Sequence, residues 1–323
     1  MLTHHKQNHE ADAALSDINR RTGRNMPQAV ATAVMLIAVI VLCLLVRIDL
    51  FVALIVAFMM LGLWELHVDF AVAGFSTPLL TMLVCSAITL FATYYAPDHL
   101  MAVAICILAS LLLVTISASL NVATGDRLAA AVANKDRHPD VARRQDSVTA
   151  DSKRGRLDNV AVSVLTVLYI PLLASFLILP LTFHGHPVAH AVMIVFLPAI
   201  SDTGGLFAGA WLGKHKLSPR ISPKKSFEGL LGSILASIAG SFVIFAISYR
   251  ALWSTHWWVP ILMGVIVGII GTFGDLCASM LKRDIGIKDM GHLLKGHGGV
   301  LDRVDSILLC APFLTLLLWA TGL

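Results

Sequence analysis

What this chain is short of is charge. Asp, Glu, Lys and Arg make up 14% of its 323 residues, apolar types make up 57%, and the mean hydropathy is +0.80. Soluble domains carry roughly a quarter charged residues, so this balance excludes a soluble globular fold and leaves an integral membrane protein. Paired cysteines are lacking as well. Cys43, Cys85, Cys106, Cys277 and Cys310 lie in or beside apolar segments without a Cys-x-x-Cys spacing, which excludes a disulfide framework and a thiolate zinc site and leaves small packing residues. A short basic leader is also missing. Residues 1–26 are long and polar, so the first apolar segment is expected to be retained as a helix.

What is present in quantity is apolar sequence. Nine runs approach the roughly 20 residues needed to cross hydrocarbon as helix: 27–46, 50–66, 73–95, 100–120, 159–182, 187–212, 228–248, 257–281 and 306–322. They predict an all-α polytopic integral membrane protein with about nine transmembrane helices. If the N-terminus is cytoplasmic, all of the 24 Lys and Arg residues except Arg47 and Arg250 fall on the cytoplasmic side, the asymmetry that orients membrane proteins. The net charge of +4 then follows from topology, with no nucleic acid partner implied. The chain divides into a tail (1–26), a four-helix membrane region (27–121), a polar cytoplasmic loop (122–158) and a five-helix region (159–323). The loop alternates charges with little apolar periodicity, which marks it as solvated and dispensable for chemistry. In the first four helices Glu65, His67 and Asp69 are the main ionisable residues, and that region reads as a scaffold or dimer surface.

Against this apolar background, residues 279–306 are an anomaly. Lys282, Arg283, Asp284, Lys288, Asp289, His297, Asp302, Arg303 and Asp305 crowd into one stretch. Each charge held in hydrocarbon would cost about 2.5–3.5 kcal/mol, so the stretch is expected to face water and to serve phosphate and metal chemistry. Gly296, Gly298 and Gly299 around His297 allow a tight turn whose N–H groups can approach an anion. His297 itself fits phosphate contact or loop ordering. The loop between Asp275 and Asp302 can fold back to join the two carboxylates, hard oxygen ligands of the kind magnesium takes together with substrate phosphates and water.

Two earlier segments share this character. Asp202 sits within the apolar run 198–209, where an acid is a functional position by default, and Gly204, Gly205 and Gly209 allow either a helix break or close packing. Residues 213–229 then set Lys214, Lys216, Ser222, Lys224, Lys225 and Ser226 around two Ser-Pro steps, with Glu228 in the first turn of the next helix. A plain basic anchor is the alternative, but the turn chemistry is more elaborate than an anchor requires.

Ser279, Lys282-Arg283, Lys288-Asp289, Gly296-His297-Gly298-Gly299, Asp302-Arg303 and Asp305, at these spacings, resemble the diagnostic motif of the phosphatidate cytidylyltransferases, or CDP-diglyceride synthetases. Asp202-Thr203 and the 213–229 segment are similar to that family's other well-marked stretch. The resemblance covers about 198–306, together with the nine-helix layout. It implies transfer of a cytidylyl group from CTP to phosphatidic acid, yielding CDP-diacylglycerol and pyrophosphate with magnesium, in phospholipid biosynthesis. It further implies a site facing the cytoplasm at the inner (plasma) membrane, acyl chains that remain in the bilayer, and a homodimer.

On this resemblance Asp275 and Asp302 hold the metal, and Asp202, Lys282, Arg283, Lys288, Asp289, His297 and Arg303 are catalytic. Lys214, Lys216, Ser222, Lys224, Lys225, Ser226, Glu228, Ser279, Gly296, Gly298 and Gly299 bind substrate. Two positions depart from the family pattern. Lys295 stands where proline is usual and Ser226 where threonine is common; the serine keeps the hydroxyl, and Lys295 is expected to be auxiliary. A CTP-dependent polyprenol or dolichol kinase is the alternative enzyme. An ion-coupled transporter is the alternative class, opposed by the lack of inverted repeats and by charge gathered at one membrane face instead of the midplane.

Overall fold

The protein is described by a computed structural model that covers residues 26–120, 155–183, 185–218, 222–285, 287, 290 and 299–323. Each of the nine apolar runs is helical. The first region contains α1 (Met26–Val46), α2 (Ile48–Val72), α3 (Leu79–Tyr95) and α4 (His99–Ser119). The second contains α5 (Arg156–Val167) and α6 (Leu173–Ile178), joined by a π turn, then α7 (Pro187–Leu212), α8 (Phe227–Ser248), the short α9 (Trp253–His256), α10 (Val259–Ile285) and α11 (Leu301–Thr321). Seven spans are long and apolar enough to cross a membrane: α2, α4, the combined Arg156–Thr182 segment, α7, α8, α10 and α11. Leu79–Tyr95 and the apolar part of α1, Ala31–Val46, are shorter. The predicted all-α polytopic class is therefore observed, with seven of the nine runs meeting the length requirement.

One element was not foreseen. The basic segment after α7 forms an antiparallel pair, β1 (Lys216–Ser218) and β2 (Ser222–Ser226), with Lys216 opposite Ser226 and Ser218 opposite Ser222. The 122–158 loop, apart from its last residues, lies outside the described residues.

Several hydroxyls inside the apolar helices donate to a carbonyl one turn back, as a low-dielectric surrounding favours. The Thr93 hydroxyl donates to the Thr89 carbonyl at 2.7 Å and the Ser175 hydroxyl to the Pro171 carbonyl at 2.7 Å. Pro171 cannot donate an N–H and lies in the π turn Leu168–Leu172, the expected accommodation of a proline within a span. Helix starts follow capping chemistry. Asp98 accepts from the Met101 N–H at 3.1 Å and Ser226 from the Gly229 N–H at 3.1 Å.

The glycines of α7 serve packing, and the helix runs unbroken to Leu212. A Cβ on Gly204 would collide with Ala236 and approach the Gly232 carbonyl to 2.8 Å, while one on Gly232 would collide with Ala208 and approach the Gly204 carbonyl to 2.8 Å. These paired small residues let α7 and α8 touch backbone to backbone. Next along, Ser237 of α8 donates to the Gly264 carbonyl of α10 at 2.8 Å, and Gly274 of α10 sits against Leu309 of α11. One continuous buried cluster extends from Phe51 and Leu63 of α2 through Ile194 of α7 and Met263 of α10 to Leu314 of α11. The order α7, α8, α10, α11 thus fixes the ends from which the charged residues project.

Candidate active site

The site is assembled at the end of α10 and the beginning of α11. Lys282, in the last turn of α10, donates to Asp302 Oδ1 at 2.7 Å, and both side chains are about nine-tenths buried. The other carboxylate oxygen, Oδ2, accepts from the Met290 N–H at 3.0 Å and from the Gly299 N–H at 3.4 Å. Asp302 therefore closes the chain onto itself around the charged stretch. Space there is tight: a Cβ on Gly299 would collide with the Met290 carbonyl and lie 2.9 Å from Glu65 Oε2.

Glu65 is the contribution that the sequence reading did not anticipate. It belongs to α2, is 2% exposed, and its Oε2 accepts from the Leu301 N–H at 3.0 Å. The first N–H groups of a helix lack intrahelical partners and carry partial positive charge, so a carboxylate there both satisfies a donor and favours the dipole. Glu65 holds the helix start that presents Asp302 and Arg303. The signal was an acid inside the apolar run Trp64-Glu65-Leu66. Nearby, His67 Nδ1 lies 2.6 Å from Thr77 Oγ1 and the Ser76 N–H donates to Asn159 Oδ1 at 3.0 Å, tying α2 and the entry to α3 to α5.

The basic segment 213–229 meets α10 through Lys225. From the end of β2 its ammonium reaches Asp275 Oδ2 at 2.7 Å and the Thr272 carbonyl at 2.8 Å, both on α10. Hairpin and α8 are kept in register by local contacts. His215 Nδ1 lies 2.7 Å from Glu228 Oε1, the His215 N–H donates to the same carboxylate, and the Phe227 N–H donates to the His215 carbonyl at 3.0 Å. Glu228 thus orders the hairpin, Ser226 is a buried helix cap, and His215 is a partner that the sequence reading passed over.

Asp202, Asp275 and Asp305 lie close enough to interact electrostatically, with Lys225 and Arg303 near Asp202, and the Ser306 hydroxyl donates to Asp305 Oδ1 at 3.4 Å. Asp305 is 4% exposed and its Oδ1 accepts from the Ser306 N–H at 2.7 Å. Beside this group lies a partly open cavity of about 440 Å³, whose polar lining includes Thr32, Asp202, Thr203, Asp302 and Arg303 and whose remainder is apolar.

The structure therefore brings together Asp202, Lys225, Asp275, Lys282, Asp302 and Arg303. Lys214 and Lys216 are exposed at the hairpin, Arg283 is exposed on the last turn of α10, Ser279 is half-buried on that helix, and Ser222 is half-buried in β2. Lys288, Asp289, Gly296, His297, Gly298 and Lys295 lie outside the described residues, as does the side chain of Lys224.

The donors near Asp275 are carboxylate oxygens, which suit magnesium, an ion commonly held by one or two carboxylates with the rest of its shell drawn from phosphates and water. Asp275 fits that role: its side chain is 41% exposed and, among the described residues, it pairs with Lys225. Asp302 does not fit as it stands, since both of its oxygens are engaged. Among the described residues, no group of three His, Cys, Asp or Glu side chains is placed to hold a metal ion.

Comparison with known proteins gives a family match over residues 27–321, to the family described as the cytidylyltransferase family. Among curated proteins, the chain is similar to the phosphatidate cytidylyltransferase of Mycobacterium bovis, with 39% identity over 171 residues, 51% of this chain and 54% of that protein. It is also similar to the phosphatidate cytidylyltransferase of Staphylococcus haemolyticus, with 40% identity over 134 residues, 41% of this chain and 49% of that protein. The chain spans about half the length of the curated relatives it matches.

Proposed function

Because the chain belongs to the cytidylyltransferase family, we propose that it transfers the cytidylyl group of CTP to phosphatidic acid, releasing pyrophosphate and leaving CDP-diacylglycerol in the membrane. The observation that carries this reading is the meeting of the 213–229 segment with α10 through Lys225 on Asp275, together with the closing of the 279–306 segment on itself through Lys282 on Asp302, beside a cavity that is apolar along its length and charged at its end. A reaction between a water-soluble nucleotide and a lipid phosphate needs such a junction.

In this reaction an oxygen of the lipid phosphate bonds to the α-phosphorus of CTP. The bond between that phosphorus and the bridging oxygen to the β-phosphate breaks, and its electron pair leaves with pyrophosphate. Both reactants are anions, so the chain must supply fixed positive charge where they approach. Arg303 can bind the lipid phosphate with its planar fork, while Lys225 and the exposed Lys214 and Lys216 are disposed towards nucleotide phosphates. Asp202 lines the same end of the cavity as Arg303, and Glu65 and Asp302 hold the start of α11 from which Arg303 projects. Magnesium, held by Asp275, would neutralise nucleotide phosphate charge. The asymmetry of Lys and Arg supports a site facing the cytoplasm, at the inner membrane of a bacterial cell, and a homodimer remains part of this reading.

The test is direct. Purified protein given CTP, magnesium and phosphatidic acid is expected to form a nucleotide-bearing lipid on thin-layer chromatography, with one pyrophosphate released per lipid. Absence of that lipid from folded protein would refute the proposal.

A further inference from the structure

We infer that the Tyr169 hydroxyl donates a hydrogen bond to a phosphate oxygen of the bound nucleotide, so that a residue from neither charged segment belongs to the site. This rests on the function proposed above and adds a neutral donor to its cations.

Tyr169 lies in the π turn Leu168–Leu172 between α5 and α6, an uncommon geometry that recurs at functional sites. The turn is held beside α11, because the Thr315 hydroxyl donates to the Phe176 carbonyl of α6 at 2.7 Å. The α5–α6 segment and α11 start at the same end of the molecule: Asn159 accepts from the Ser76 N–H just beyond α2, and the Leu301 N–H donates to Glu65 toward the end of α2. From the level of Thr315 and Phe176, the way back to Asp305 is about 15 Å along α11 and the way back to Tyr169 about 10 Å along α6. A helical side chain leans toward its own N-terminus, which carries the phenol over the remaining distance. The hydroxyl accordingly lies within electrostatic range of Asp305, Asp302 and Asp275, and of Cys277 on α10.

That hydroxyl is buried and, among the described residues, has no hydrogen-bond partner. A buried donor is costly to leave unpaired, and one set among acids that do not accept from it implies a partner that arrives with substrate. A neutral donor suits the position. Lysines here pair with the carboxylates, as Lys225 does with Asp275 and Lys282 with Asp302. A phenol keeps its proton at neutral pH and can donate to a phosphate oxygen without neutralising the acids that a metal ion needs. Tyr169 does not line the cavity that ends at Arg303, which places it on the nucleotide side and not with the lipid phosphate.

Tyr249 provides an internal comparison. Its hydroxyl is likewise buried and without a partner among the described residues. Its ring, however, packs on His186, His190 and Phe245, at the end of α8 opposite the hairpin.

The test uses the full chain in detergent, with binding of magnesium-bound CTP followed by calorimetry and Tm measured on the free protein. Tyr169→Phe is expected to raise the Kd for magnesium-bound CTP about tenfold, the scale of a hydrogen bond to a charged group. Its Tm without ligand should hold or rise, since an unpaired buried donor has been removed. The KM for phosphatidic acid should stay unchanged. Tyr249→Phe should show the same Tm behaviour with wild-type CTP affinity.

A fall in the Tm of free Tyr169→Phe makes the hydroxyl a structural bond and overturns the inference. So does a loss confined to phosphatidic acid, or a matching loss of CTP affinity in Tyr249→Phe. Unchanged CTP affinity in Tyr169→Phe, with cytidylyl transfer intact in the wild type, removes the inference alone, whereas wild-type protein that binds no CTP removes the proposed function with it. Weakened CTP binding in Tyr169→Phe without any cytidylyl transfer by the wild type supports the nucleotide contact and counts against the proposed reaction.

Discussion

The two membrane regions contribute to the site in different ways. The second, from α5 to α11, supplies the charged side chains: Asp202, Lys225, Asp275, Lys282, Asp302 and Arg303. The first supplies no motif, yet Glu65 of α2 holds the N-terminal turn of α11 and the faces of α1 and α2 wall the cavity beside it. The contrast shows that reacting groups cluster in sequence because they must share one small volume, while the groups that position them can come from any helix that packs nearby.

The largest expected effects come from the two acids of the second region, and the structure separates them. Asp275→Asn and Asp302→Asn should each lower cytidylyl transfer by about a hundredfold or more, the scale of removing a major electrostatic contribution. Each change strips a lysine of its charge partner, but Asp302 and Lys282 are both about nine-tenths buried whereas Asp275 is 41% exposed, and breaking a buried pair costs about 3–5 kcal/mol. The Tm of Asp302→Asn should therefore fall by more than that of Asp275→Asn. Equal thermal shifts would contradict the distinction, and a wild-type rate in either variant would remove that acid from the site.

An intermediate effect tests the first region. Glu65→Ala removes a cap from α11, a loss of about 1–2 kcal/mol, and should lower kcat more than it raises the KM for CTP. Glu65→Gln keeps an acceptor oxygen and should recover most of both Tm and kcat. If Gln is as damaging as Ala, the cap is not what Glu65 provides.

The smallest effects belong to segments outside the described residues. Lys295→Pro should leave CTP affinity and turnover nearly unchanged, because proline would pre-set the turn entering Gly296; a fall in apparent CTP affinity would instead make Lys295 a phosphate ligand. Replacing 128–152 with a Gly/Ser linker should be smaller still, and loss of activity in folded protein would give that loop a role in chemistry or regulation.

The helices were legible because an apolar run near the width of a bilayer has few other solutions. The main charged residues were legible because a charge within such a sequence needs a reason. Contacts between helices were not. Lys225 meets Asp275 only after α8 and α10 have set their relative depth, which depends on Gly264 and Gly268 facing Ile238 and Ile234. Glu65 was visible as an unusual acid, but its partner is the backbone N–H of Leu301, and a backbone donor leaves no mark in sequence. The hairpin was hidden because Lys216–Ser218 and Ser222–Ser226 lack the apolar alternation that normally marks strands. Asp302 was recognised as important, while its engagement by Lys282 and two backbone N–H groups emerged only from the folded chain.

The central claim, transfer of a nucleotide from CTP to a lipid phosphate at the junction of these two regions, is tested most directly by following phosphorus. Purified protein is incubated with phosphatidic acid, magnesium and CTP labelled at either the α- or the γ-phosphorus, and the lipid is extracted. The account predicts α-label in the lipid and γ-label in pyrophosphate. Label from the γ-phosphorus in the lipid would make the protein a kinase and contradict the account.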